Sequence, residues 1–190
     1  MKKLFTTLLL AASATLAVPA TAGTLNGEVR IADPRGGARA DSNEFRVEAW
    51  DKVLGLNVGA ELEARQPENE GKVTSKASVK TGLSLPAFAG FKTALVAEVG
   101  QNFGEAVAGG NFSFWGGAVN VSRPVVAGLT AHAGYRHREG FTSGNLKEDR
   151  VHGGLSYALT QKDDVGVLYY RTRSGGNDFD AVGISFTRKF

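Results

Sequence analysis

The sequence predicts an all-β chain that closes into a transmembrane antiparallel β-barrel of about ten strands, with 8 or 12 strands as the alternatives. Three observations carry this. Apolar residues recur at every second position from Leu25 to the final Phe190. Long polar connections alternate with tight ones. A short basic start and an apolar run precede all of it, as in an exported chain.

The strands follow in order. Leu25, Gly27, Val29 and Ile31 alternate with Asn26, Glu28 and Arg30. A period of two puts these sets on opposite faces of a strand. Phe45, Val47 and Ala49 oppose Arg46, Glu48 and Trp50, and Leu56 to Ala64 oppose Asn57 to Arg65. Ala77, Val79, Thr81 and Leu83 oppose Lys76, Ser78 and Lys80, and Leu95, Ala97 and Val99 oppose Val96 and Glu98. Between Asn111 and Val121 the pattern passes from Phe112 and Phe114 to Trp115 and Val119, which suggests a bulge. Ala131, Ala133 and Tyr135 then oppose His132 and Arg136; Val151, Leu155 and Tyr157 oppose Arg150 and His152. The stretch from Val165 to Arg173 mixes Tyr169 with Arg171 and Arg173, and the last strand sets Val182, Ile184, Phe186 and Phe190 against Ser185 and Lys189.

Five connections read as long and polar: Asp33 to Asn43, Gln66 to Thr74, Asn102 to Gly110, Glu139 to Glu148, and Ser174 to Asp178. Four read as tight: Lys52-Val53, Pro86 to Gly90, Pro124 to Gly128, and Gln161 to Asp164. Long loops at one end and short turns at the other are an outer-membrane pattern, and an even strand count puts both termini at the short-turn end. A soluble sandwich or lipocalin-like barrel also alternates, but hides its apolar face inside. Phe45, Phe91, Phe112, Phe114, Phe141 and Phe190 lie near strand ends, where aromatic girdles form.

Composition narrows the chemistry. Of 190 residues, 42% are hydrophobic, 25 are glycine and none is cysteine. A disulfide framework and a thiol nucleophile are therefore excluded, and three scattered histidines predict no metal site and no cofactor. Met1-Lys2-Lys3, an apolar run over residues 4–18 and the Ala20-Thr21-Ala22 motif predict a signal peptide at 1–22, cleaved after Ala22, with the barrel domain at 23–190. After Gly23 nothing is long and apolar enough for a membrane helix. Removing the signal lowers the formal charge from +3 to about +1.

Sorting charge by strand face says more than the net value. The polar face collects Arg30, Arg46, Lys52, Arg65, Lys76, Lys80, Lys92, Arg136, Arg138, Arg150, Arg171, Arg173 and Lys189, against the acids Glu28, Glu48, Glu61, Glu63 and Glu98. Because first and last strands pair when a barrel closes, Arg30, Arg136, Arg138, Arg150, Arg171, Arg173 and Lys189 are expected to form one basic wall lining a pore. Guanidinium forks along a wet wall guide anions, so a channel for small anionic solutes is one reading. The other is a non-conducting structural or surface-interaction barrel whose lumen is plugged by paired Arg and Glu, with the loops at work.

An aromatic at the end of an alternating last strand, here Phe186 and Phe190, resembles the signal by which outer-membrane barrels are recognised for insertion. Gly134-Tyr135-Arg136-His137-Arg138-Glu139, Lys147-Glu148-Asp149-Arg150-Val151-His152-Gly153-Gly154-Leu155-Ser156-Tyr157, Asn43-Glu44-Phe45-Arg46-Val47 and Val182-Gly183-Ile184-Ser185-Phe186 resemble the oligogalacturonate-specific porin family, which includes sialic-acid channels. That resemblance implies a small monomeric channel of twelve strands passing acidic oligosaccharides along two basic tracks. Expected partners are outer-membrane lipid and lipopolysaccharide, the barrel-insertion machinery and small anionic solutes, in the outer membrane of a Gram-negative cell.

Enzyme readings find little support. His137 is followed by Arg138-Glu139 and His152 by Gly153-Gly154, unlike the His-x-Ser of lipid A deacylases; Asp149 with His137 or His152 is the best residual constellation. Basic residues are spread by strand face instead of clustering with exposed aromatics, so no nucleic-acid partner is expected.

Overall fold

A computed structural model describes residues 23–34, 41–68, 73–104, 111–142 and 146–190. The expected signal peptide and the loop residues Arg35, Arg39, Glu70 and Glu105 lie outside the described residues. Ten strands follow in chain order: β1 Thr24–Pro34, β2 Ser42–Val53, β3 Leu56–Pro67, β4 Thr74–Ser84, β5 Lys92–Phe103, β6 Phe112–Val126, β7 Leu129–Gly140, β8 Lys147–Ala158, β9 Asp163–Ser174 and β10 Asn177–Lys189. Each pairs antiparallel with its sequence neighbours, and β1 pairs with β10 to close the barrel. Closure satisfies every strand edge internally, a requirement for any sheet that spans lipid.

The closing seam fixes which face is which. Val29 lies opposite Ile184, Ile31 opposite Val182 and Gly27 opposite Phe186 on the outside. Glu28 opposite Ser185 and Arg30 opposite Gly183 face inward. Around the wall the outward set is apolar and open to the surroundings: Ile31 at 64% exposure, Val79 at 60%, Val167 at 56% and Ile184 at 67%. An apolar skin around the whole circumference has no counterpart on a soluble monomer. The inward set is charged, so the burial pattern of a soluble barrel is inverted.

Twelve-residue strands such as β7, rising about 3.3 Å per residue at about 40° of tilt, climb roughly 30 Å along the axis. They clear the ~25 Å apolar band of an outer-membrane barrel by a short margin. At the end bearing both termini, the first turn sits at Leu54 and Gly55, two residues beyond the Lys52-Val53 expected. Both residues have positive φ, 52° and 85°, the left-handed pair that a two-residue hairpin of matching twist demands.

Three expectations need correction. The connection at Ser174 to Asp178 is a two-residue turn at Gly175 and Gly176, both with positive φ, because β9 and β10 stay paired up to Ser174 and Asn177. No bulge interrupts residues 112–121; the register shift of β6 falls between Pro124 and Val126, where proline lacks the donor a ladder needs. Phe112 and Phe114 belong to no girdle. They face the lumen, opposite Asn102 and Gly100, and Phe114 is fully buried.

Candidate functional site: an ion-paired layer across the lumen

Midway up the barrel the inward side chains meet. Eight cations, Arg30, Arg46, Arg65, Lys76, Lys80, Arg136, Arg138 and Arg150, interleave with seven carboxylates, Glu28, Glu44, Glu48, Glu61, Glu63, Glu98 and Glu148. Glu28, Arg30 and Arg138 are at most 1% exposed and Glu61 is 2%. Charges this dry persist only when paired and hydrogen-bonded.

Two arginine forks organise the layer. On β1, Arg30 grips Glu28 through Nε at 3.0 Å and Nη2 at 3.1 Å. Its guanidinium lies 4.3 Å from the Tyr170 ring of β9, and the Tyr170 hydroxyl donates to Glu28. On β7, Arg138 grips Glu98 of β5 through Nε at 2.7 Å and Nη2 at 2.8 Å, with its guanidinium 5.1 Å from the Phe114 ring of β6. Nη2 also reaches Glu61 of β3 at 2.5 Å. Bidentate charge-assisted pairs of this kind are the strongest in proteins, and aromatic faces add cation–π attraction.

At this level β6 and β10 present glycine instead of charge. A Cβ on Gly116 would stand 2.8 Å from Glu98 Oε1 and 2.7 Å from the His137 carbonyl oxygen. Gly183 makes the corresponding room beside Glu28 and Arg30. Gly117, one step on, faces outward with its nearest neighbour at 3.6 Å. Gly116→Ala is therefore expected to destabilise the barrel by about 1–3 kcal/mol through overpacking, and Gly117→Ala to be near neutral. Denaturant unfolding of both variants in lipid vesicles checks this; equal losses would remove the close-packing account.

The remaining contacts knit the forks together. Lys80 of β4 lies 2.5 Å from Glu48 and 2.7 Å from Glu61. Arg136 lies 2.9 Å from Glu148, which also accepts from Lys76 at 3.0 Å. Arg46 reaches Glu28 at 3.2 Å. Above and below the layer the lumen opens. One vestibule of about 540 Å³ lies toward the termini, with Asn26, Trp50, Asn57 and His132 on its wall. The other, about 390 Å³, lies toward the loops, lined by Thr74, Asn102, Phe112 and Asn177. Arg150 and Tyr170 border both.

Of the expected basic track, Arg30, Arg46, Lys76, Lys80, Arg136, Arg138 and Arg150 face the lumen in this layer, as do the acids Glu28, Glu48, Glu61, Glu63 and Glu98. Lys189 stands at the terminus-end mouth, 2.7 Å from Asp164. Arg171 and Arg173 do not line the lumen. Arg171 stands beside outward Val151 and Asp180, Arg173 beside Asp149 and Asp178, and both bond Asp178, at 3.4 and 3.0 Å. Their strand rises past the apolar band there, so an outward arginine reaches water and headgroups instead of hydrocarbon. Phe186 and Phe190, the expected insertion signal, are 45% and 50% exposed.

The continuous basic wall is also corrected, because two further acids face inward: Glu44, at the start of β2, and Glu148, expected in a loop. Glu44 bonds Arg30 at 3.2 Å and Glu148 bonds Arg136. Their parity with Arg46 and Arg150 was the available signal. On the outside, Asp149 does gather His137 Nδ1 at 2.8 Å and the Tyr135 hydroxyl at 2.5 Å, beside Trp115. His152 is separate from it, facing the lumen near Tyr170. Among the described residues no group of three or more His, Cys, Asp or Glu is arranged to hold a metal ion.

No family model matches the chain, and no curated protein matches it. The fold has counterparts among solved structures. An outer membrane channel from Pseudomonas putida F1 superposes with a TM-score of 0.57 at 10% identity, covering 92% of this chain and 97% of that one. The translocator domain of the autotransporter NalP from Neisseria meningitidis gives 0.52 at 8% identity, covering 100% and 96%. The KdgM porin gives 0.46 at 11% identity, covering 87% and 99%. At these identities the likeness is one of fold, and the fold is that of the outer-membrane β-barrels.

Proposed function

We propose that the protein is an outer-membrane channel for small anionic solutes, held shut at mid-height by the ion-paired layer. One observation carries the reading: two lumenal vestibules, about 540 and 390 Å³, approach one another across a layer bordered on both sides by Arg150. A barrel built only to fill its own interior has no use for such volumes at both mouths. Arginine on the approach favours anions, since guanidinium stays ionised and pairs bidentately with carboxylates. Residues 1–22 then serve as the export signal, Phe186 and Phe190 as the mark read by the insertion machinery, and Arg171 and Arg173 as contacts for lipopolysaccharide. The channel acts as a monomer without a cofactor.

A second reading, a barrel that stays shut and works as a structural or surface-interaction protein, is favoured by the near-balance of charge and the dryness of Arg138 and Glu61. Planar-bilayer recording separates the two. The channel reading expects small, intermittent, chloride-preferring currents from the wild type, and larger currents with weaker chloride preference from Arg136→Ser with Arg150→Ser. Absence of current from both proteins would leave only the second reading standing.

A further inference from the structure

We propose that Glu63 is a tethered occupant of an anion site: its carboxylate sits where Arg30, Arg136, Arg138 and Arg150 would receive the carboxylate of a small organic acid entering from the loop end. The inference rests on the channel reading for its purpose, though not for its geometry. Glu63 is the most crowded carboxylate of the layer and the most loosely held. Its Oε2 has guanidinium nitrogens of Arg30 and Arg150 at 3.6 Å, and of Arg136 and Arg138 at 3.8 Å. None is a hydrogen bond at that range. Its closest cation is Lys76, 3.4 Å from Oε1. The other carboxylates each have a cation within 3.2 Å: Glu28 at 3.0 Å, Glu44 at 3.2 Å, Glu98 at 2.7 Å and Glu148 at 2.9 Å.

The mismatch is on both sides of the gap. Glu63 Oε2, Arg138 Nη1 and Arg150 Nη1 are all buried without a hydrogen-bond partner, although they face one another. Glu63 is 5% exposed, Arg150 5% and Arg138 0%. Buried polar atoms are seldom left so. The cations do not depend on Glu63 for their positions, because Arg30 is fixed by Glu28 and Arg138 by Glu98. The site is therefore preorganised, which lowers the cost of binding.

Exchange conserves charge. A soluble carboxylate that replaces the Glu63 carboxylate leaves no guanidinium uncompensated, so the desolvation penalty that defends the rest of the layer does not oppose it. Glu63, Arg30 and Arg150 all border the loop-end vestibule, so the incoming acid has a path and the displaced side chain has room beside Lys76. A volume of about 390 Å³ suits a small organic acid, with Tyr170, Thr172 and Asn102 on the wall to receive its hydroxyls.

Succinate binding to the detergent-folded full chain, measured by isothermal titration calorimetry, tests the site. Glu63→Gln removes the internal competitor; if that competitor holds the site about nine-tenths of the time, affinity rises about tenfold over wild type. Glu63→Asp keeps the charge but withdraws the carboxylate by one methylene, and is expected to fall between the two. Variants that show native strand circular dichroism yet bind succinate no tighter than wild type would overturn the proposal, and Glu63→Asp alone decides if the Gln variant does not fold. Bilayer currents keep the two readings apart. Tighter binding without conductance would retain the site and remove the channel; conductance with unaltered binding would do the reverse.

Discussion

Replacing Arg138 by alanine is expected to destabilise the barrel by about 3–5 kcal/mol, among the largest effects of any single substitution in the lumen. The alanine removes both arms of the fork on Glu98 and the 2.5 Å contact to Glu61, and it uncovers the Phe114 ring. Glu61 keeps Lys80 at 2.7 Å, whereas the one hydrogen-bond partner left to Glu98 among the described residues is the hydroxyl of Ser78, at 3.3 Å. The loss is therefore dominated by one stranded buried carboxylate. Replacing Arg138 and Glu98 together by leucine removes that stranded charge and is expected to recover most of the loss, since a buried pair is worth little against a packed apolar substitute. Urea titration of the three proteins in lipid vesicles, followed by tryptophan fluorescence, measures it. An Arg138→Ala variant within about 0.5 kcal/mol of wild type would mean that water reaches this layer freely, and the closed lumen would have to be abandoned.

How much of this layer the sequence discloses depends on the scale. Alternation assigns nearly every residue to a face, because a strand has only two faces and the outside must be apolar. That logic places Arg30, Arg46, Arg136 and Arg138 inside without any knowledge of their partners. It fails at the loop end, where the outer wall leaves the apolar band and polar residues are welcome on both faces. Arg171 and Arg173 are misassigned there, as is Glu148, which looks like a loop acid until β8 is extended upward to Lys147. Nor does alternation predict what meets across the lumen. Arg138 on β7 and Glu61 on β3 are 77 residues apart, and their contact follows from strand register and barrel diameter. Phe114 illustrates the same limit: an aromatic near a strand end reads as a girdle residue, yet Gly100 opposite it leaves a lumenal slot that only an inward ring fills.

Outside, the expectation runs the other way, and Ile184→Arg tests it. Ile184 lies opposite Val29 on the closing seam and opposite Val167 of β9, midway between Val182 and Phe186 on the outward face, and it is 67% exposed. On a soluble protein an arginine at so exposed a site costs almost nothing. At the middle of a lipid band it costs about 2–4 kcal/mol, because the guanidinium must be dragged from water with no partner in reach. Val53, also outward and 50% exposed, stands at the turn end of β2, where the same substitution costs about 0–1 kcal/mol. The difference between Ile184→Arg and Val53→Arg, measured by reversible guanidinium unfolding in vesicles, thus reads depth in the membrane directly. Equal and small effects would place the apolar wall in water, and the lumen would then have to be understood as the polar core of a soluble barrel instead of the interior of a membrane-spanning one.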